Sequence, residues 1–118
     1  MELTPLEYVA ASKRERAGGN HRKAAALMWQ ATQATFVVLA DAHGVKCPNL
    51  DYIDLIGVAR ALEANGSVTK FYYRSGLGPG SLLKDHAEMD VLESYQLELA
   101  YETAEQFIRE CLDDQRAD

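Results

Sequence analysis

The chain has 118 residues, of which 47% are hydrophobic and 25% charged, and its net charge at pH 7 is −6. This length suits one domain with one core, and the composition argues against disorder. No apolar run reaches the roughly 18 residues of a membrane span, and the first residues lack the basic start and apolar core of a signal peptide. We therefore expect a single domain over residues 1–118, located in the cytoplasm.

Charge is unevenly distributed along the chain. Residues 85–118 carry eleven acidic against two basic residues, a balance of −9, whereas residues 1–84 carry ten basic against seven acidic, a balance of +3. The acidic half disfavours extended binding of nucleic acid, but it does not exclude a local basic site. Two solvated helix faces, or the complementary ends of a dimer, also explain the pattern. The basic excess is concentrated in Lys13, Arg14, Arg16, Arg22 and Lys23.

The two cysteines, Cys47 and Cys111, are 64 positions apart. They form no Cys-x-x-Cys pair and have no accompanying histidine pair at the spacing of a zinc site. We predict two reduced thiols rather than a disulfide.

Two helices are predicted in the first part of the chain. Thr4 can cap a helix over residues 5–17, with Pro5 in its first turn and Glu7 completing a capping box. The pair Gly18-Gly19 ends this helix. A second helix follows, in which Asn20 can accept a backbone N–H bond as cap and Gly44 suits the left-handed stop. The short link predicts an antiparallel hairpin, and small alanines around Trp29 make the second helix the centre of a bundle.

The rest of the chain predicts two further main helices. After a loop at Pro48, a third helix covers residues 50–64. Residues 66–74 are expected to form an irregular or short helical connection, and the glycine-rich residues 75–80 a flexible loop. A last helix begins at Ser81, with a break near Asp85-His86. Two stripes run along it: Leu92, Tyr95, Leu99 and Gln106, and beside them Leu97, Ala100, Ala104, Phe107, Ile108 and Cys111.

A dimer is predicted from the apolar surface of two helices. The second and the last helix are each apolar over more surface than a small bundle easily buries, and exposed apolar patches mark interfaces. The expected assembly is a homodimer.

One block of sequence resembles a known family. Gly19-Asn20-His21-Arg22-Lys23-Ala24-Ala25, followed by Trp29-Gln30-Ala31, is similar to the Gly-Asp-aromatic, Ala-Ser and Trp-Gly-Ala motif of small helical proteins encoded by archaeal repetitive elements. Asn20, Ala25 and Gln30 depart from that motif. A second, looser match is Ala61-Leu62-Glu63-Ala64 followed by Phe71-Tyr72-Tyr73, which is similar to a later Leu-His and Phe-Tyr segment of these proteins. These proteins belong to the HEPN-like superfamily, named for higher-eukaryote and prokaryote nucleotide binding.

The resemblance implies an all-α, HEPN-like up-and-down bundle of four main helices, with room for a short extra helix, commonly paired into dimers. The biochemical role of these small proteins is not established. Many other HEPN proteins are metal-independent ribonucleases that use an arginine followed, after four to six residues, by a histidine. Arg16 and His21, or Arg14 and His21, match that spacing here. In such a site the histidine transfers protons and the arginine stabilises charge on the phosphate.

The same turn can bind an anion without catalysis. Backbone N–H groups at the start of the second helix, together with Arg14, Arg16, His21 and Arg22, would face a phosphate. Basic residues also favour helix C-termini for purely structural reasons.

Two further segments are weaker candidates. The Gly76–Ser81 segment departs from the phosphate-loop spacing, and Pro79 removes a donor, although neighbouring tyrosines with Arg74 and Lys84 offer a second nucleotide contact. Asp85, His86, Glu88 and Asp90 are only a fragment of a bundle-type metal motif, so no metal or cofactor is expected.

The function predicted is a non-catalytic interaction module that binds a nucleotide or a partner such as a nucleotidyltransferase. The alternatives are a toxin-type ribonuclease and a purely structural dimer.

Overall fold

The structure, a computed structural model, describes residues 3–64 and 72–116, with side chains for residues 3–64 and 76–113. All regular secondary structure in these residues is helical. The chain forms five helices rather than four main ones. They are α1 (Pro5–Ala17), α2 (His21–His43), α3 (Tyr52–Ala64), α4 (Tyr72–Met89) and α5 (Ser94–Arg116). Of the connection predicted over residues 66–74, residues 66–71 lie outside the described residues, and residues 72–74 form the start of α4.

Helix α2 is the centre of the bundle, as its alanines predicted. It packs against α1, α3, α4 and α5, and α1 also contacts α5. Its small side chains let the neighbouring axes approach, while Met28, Trp29, Phe36 and Leu39 supply apolar area to the core. The apolar surface of α2 is therefore largely buried within one chain. Of the two helices whose apolar surface predicted a dimer, α2 no longer supports that prediction.

The first helix starts with the predicted capping box. Thr4 Oγ1 accepts a hydrogen bond from Glu7 N–H at 3.2 Å, and Glu7 Oε1 accepts one from Thr4 N–H at 2.8 Å. Both α1 and α2 end in Schellman-type turns. Gly19 (φ 83°) and Gly44 (φ 67°) take the left-handed conformation, and the amide of the following residue reaches back five positions to a carbonyl.

The predicted side-chain cap at Asn20 is wrong. Asn20 occupies the cap position, but its side chain makes no capping bond. Its Nδ2 donates instead to Glu15 Oε2 at 2.8 Å, and Lys23 lies 3.3 Å from the other oxygen of that carboxylate. The side chain is thus committed to the α1–α2 turn rather than to the helix start.

The glycine-rich loop predicted over residues 75–80 is also wrong, because this segment lies inside α4. A Cβ at Gly76 would overlap the ring of Phe107 in α5. A Cβ at Gly80 would lie 2.9 Å from Thr32 Oγ1 in α2. Glycine is needed at these two positions so that α4 can approach both neighbours, which outweighs its poor helix propensity.

The last helix does not begin at Ser81, and the break is not at Asp85-His86. Helix α4 runs on to Met89, and α5 starts at Ser94. Asp90 takes a positive φ of 53° at the junction. His86 is buried there, and its Nδ1 accepts a hydrogen bond from Leu92 N–H at 3.1 Å. His86, at the predicted break, therefore stabilises the turn between α4 and α5.

Two other sequence expectations can be compared directly with the structure. Cys47 and Cys111 are not joined in a disulfide, as predicted. Across the described helices, none has the length and apolar character that crossing a membrane requires.

Candidate functional site

A small pocket lies where the α1–α2 turn meets the start of α5. It has a volume of about 250 Å³. His21 is the first residue of α2 and Ser94 the first of α5, so two helix N-termini meet at this place. The positive ends of both helix dipoles therefore contribute to the potential in the pocket. Its lining consists of Arg16, His21, Ser94, Leu97, Glu98 and Tyr101.

Tyr101 forms the floor of the pocket and joins α5 to the α1–α2 turn. Its side chain is almost fully buried, and its hydroxyl donates to the carbonyl oxygen of His21 at 2.9 Å. Burial raises the pKa of Tyr101 to about 12, although the positive charge of Arg16 opposes the rise. The phenol is therefore neutral at physiological pH and holds the backbone of His21 in place.

Arg16 is oriented by that same ring. Its guanidinium carbon lies 4.0 Å from the centroid of Tyr101, in a cation–π contact. Arg16 and His21 are the two basic residues of the lining, and of these Arg16 is held by a contact with Tyr101. The N–H groups of its guanidinium can donate to an anion.

His21 lies at the rim of the pocket with an exposed side chain. Within the described residues, no side chain hydrogen-bonds to its imidazole, so no third group fixes its orientation or tautomer. A catalytic histidine is usually held by such a group. The geometry supplies a proton donor or acceptor at His21 without the support expected of a general base.

The structure brings together two of the four predicted site residues. Arg14 is exposed and is not part of the pocket lining. Arg22 faces the end of α4, where its Nε donates to Ala87 O at 3.0 Å and its Nη2 to Glu88 O at 2.7 Å. Arg22 therefore satisfies carbonyls at the C-terminus of α4, a common structural position for a cation.

Sequence reasoning missed four residues of the pocket: Ser94, Leu97, Glu98 and Tyr101. They lie on α5, with Tyr101 80 positions from its hydrogen-bond partner His21. No local pattern links them to Arg16. Glu98 matters chemically because it adds a carboxylate to a lining that is otherwise basic or neutral.

The other predicted clusters have structural partners. His86 Nε2 lies 3.5 Å from Asp90 Oδ1, and Lys84 pairs with Glu88 at 3.0 Å. No group of three or more potential metal ligands occurs among the residues whose positions are described. A larger, mainly apolar groove of about 390 Å³ lies between the start of α1 and α2, near Leu3, Tyr8, Val37 and Leu50. It contains no charged lining residue.

Comparisons of the chain with protein-family models, with curated proteins and with solved structures found no match, so the pocket is interpreted from its own geometry.

Proposed function

We propose that the protein is a non-catalytic helical interaction module that binds the phosphate portion of a nucleotide in the pocket at Arg16 and His21. One observation carries the proposal: an oriented guanidinium, an imidazole and the first residues of two long helices line the same small pocket. This combination is suited to an anion, because charge-assisted hydrogen bonds and helix dipoles act on it together.

The size of the pocket limits what it can enclose. Its volume of about 250 Å³ is below the range of roughly 300–1,000 Å³ typical of sites that enclose a small molecule. The pocket admits phosphate groups, and the base of a nucleotide would remain outside it. Binding through phosphate alone distinguishes poorly between bases, so ATP and GTP should bind with similar affinity.

Glu98 weakens the attraction of the pocket for an anion. Its carboxylate lines the pocket opposite the basic groups and repels a phosphate at short range. We expect Glu98→Gln to strengthen ATP binding by about threefold to tenfold, which is the size of one weakly screened charge contact.

A non-catalytic role is favoured over the ribonuclease alternative by the surroundings of His21. Its imidazole has no orienting partner among the described residues, whereas a catalytic histidine is usually held by a third group. The direct test is incubation of RNA with micromolar protein. Cleavage by the wild type that is lost in both Arg16→Ala and His21→Ala, with the fold intact, would establish the ribonuclease and refute the proposal.

The binding test is calorimetric titration with ATP, with adenosine as the ligand that lacks phosphate. We expect Arg16→Met to abolish heat from ATP, whereas Arg14→Met, a neighbouring arginine outside the pocket, keeps the wild-type affinity. Equal binding by the two variants would place the ligand elsewhere. Trp29 fluorescence is a poor readout, because this side chain is buried and lines a different pocket with Ala26 and Lys84.

We also propose that the chain is a HEPN-like protein and that it associates with another protein. The five-helix, all-α arrangement is compatible with a HEPN-like bundle, and a nucleotidyltransferase-type partner or a second copy of the chain fits an interaction module. Sedimentation of the purified protein tests self-association, and co-purification with such an enzyme tests the partner.

A further inference from the structure

An apolar and acidic strip runs along the outside of α5. Tyr95 and Leu99 are 71% and 63% exposed and lie one turn apart, so their side chains are neighbours. Glu98 and Glu102 follow each of them by three positions and are also exposed. We name these four residues, Tyr95, Glu98, Leu99 and Glu102, the α5 strip.

Further apolar side chains are exposed just before the α5 strip. Met89 and Val91, at the α4–α5 junction, are 61% and 55% exposed, so four large apolar side chains within eleven positions remain in solvent. Tyrosine is a typical anchor of protein interfaces, and the neighbouring leucine extends the exposed apolar area around it.

The charges of the strip are uncompensated. In the described part of the chain, neither Glu98 nor Glu102 forms an ion pair. Glu105, one turn further along α5, is by contrast bound by Lys13 at 2.9 Å and by Arg109 at 2.8 Å. The whole segment from residue 85 to residue 118 carries a balance of −9. Both carboxylates are therefore available to a cation of a partner protein, although Glu98 also lines the pocket of Arg16 and His21.

We infer that the α5 strip docks a basic amphipathic helix of a partner protein, whose apolar side chains cover Tyr95 and Leu99 while its lysines or arginines face Glu98 and Glu102. A second copy of this chain fits less well. A two-fold contact centred on the strip places the same carboxylates against each other, and opposed like charges in an interface are unfavourable. The inference does not require the pocket to bind a nucleotide, although Glu98 belongs to both sites.

The probe is a synthetic amphipathic peptide with leucines at helical spacing and lysines that flank the leucine face, so that both kinds of side chain reach the α5 strip. A counterpart with glutamates in place of the lysines is the control. We expect the lysine peptide to bind and the glutamate peptide not to bind. The double variant Tyr95→Ser/Leu99→Ser should weaken binding at least about tenfold. Ile53→Ser, which removes an equally exposed apolar side chain from α3, should leave it unchanged.

Charge is tested with Glu102→Gln, because Glu98 also lines the pocket. This variant should weaken binding and reduce its dependence on salt. Equal affinity of the wild type and Tyr95→Ser/Leu99→Ser would overturn the inference. So would a concentration-dependent dimer that this double variant abolishes, since the strip then belongs to a second copy. Arg16→Met should bind the peptide normally, so failure of the nucleotide proposal is separable from failure of this one.

Discussion

Gly76 of α4 lies directly against the ring of Phe107 of α5, with no room for a Cβ atom between them. Phe107 is buried and stacks on Phe36 of α2, with ring centroids 5.9 Å apart. The contact therefore connects three helices. It also accounts for glycine at position 76 inside a helix.

This contact predicts different effects for two glycines of the same helix. Gly76→Ala should lower the free energy of unfolding by about 1–3 kcal/mol or more, because the confined Phe107 ring cannot move aside. Gly78→Ala should change it by less than about 0.5 kcal/mol, since a Cβ there meets no atom of another helix within 4 Å, while the following Pro79 opposes the helix preference of alanine. Urea unfolding of both variants measures the difference. Equal effects would show that α4 does not approach α5 at Gly76.

The capping difference between the first two helices is measurable in the same way. Thr4→Ala should cost about 1 kcal/mol of stability, because it removes a side-chain acceptor from the start of α1. Asn20→Ala should change stability by less than about 0.5 kcal/mol, because Asn20 bonds only to the exposed Glu15. A cost at Asn20 equal to that at Thr4 would mean that Asn20 caps α2 after all.

Tyr101 should make stability depend on pH in the alkaline range. Its pKa is raised to about 12 in the folded protein, against an ordinary value of 10.0. Between these values the unfolded chain releases the proton while the folded one retains it, so the contribution of Tyr101 to stability falls as pH rises. At pH 7, Tyr101→Phe should cost about 1 kcal/mol through loss of the bond to His21.

The measurement is the difference in unfolding free energy between wild type and Tyr101→Phe across this pH range. The difference should shrink or change sign above pH 10, while the other tyrosines cancel between the two proteins. A constant difference would show that the hydroxyl of Tyr101 is exposed to solvent.

Glu105 predicts a second pH effect, of opposite direction. Burial raises the pKa of this carboxyl, but hydrogen bonds from Arg109 and Lys13 outweigh it and hold the pKa below 4.5. The stabilisation is present above pH 4.5 and is lost as the pH falls through the lowered folded value. Glu105→Gln should cost less than about 1 kcal/mol at pH 7, given the partial exposure of its partners.

The pH series for Glu105→Gln uses Glu110→Gln, on the same helix, for comparison. The stability difference between wild type and Glu105→Gln should disappear at acidic pH, where both side chains are neutral. If it persisted there, the effect of Glu105 would come from packing rather than from its charge.

The first three helices were predictable because their ends are encoded locally. Thr4 with Glu7, Gly19 and Gly44 each act within a few residues, and the structure places the helix ends at or near them. Helix α4 was not predictable by the same logic. Glycine and proline ordinarily end helices, and only the approach of Phe107 and Thr32 from distant positions accounts for glycine at positions 76 and 80.

In the candidate site, too, only residues that are close in sequence could be predicted. Arg16 and His21 were identified because they flank one turn and are close in sequence. Tyr101 and Glu98 were missed because only tertiary packing brings α5 to that turn. Arg22 was included for its proximity in sequence, whereas its guanidinium binds the last turn of α4.

The most direct test of the proposed site is the NMR signal of the His21 imidazole during titration with ATP. The protein contains three histidines, and His43 and the buried His86 lie outside the pocket lining, so they serve as internal controls. We predict a saturable shift of the His21 resonance, with His43 and His86 unchanged and no response to adenosine. An unchanged His21 resonance at millimolar ATP would contradict the proposed site.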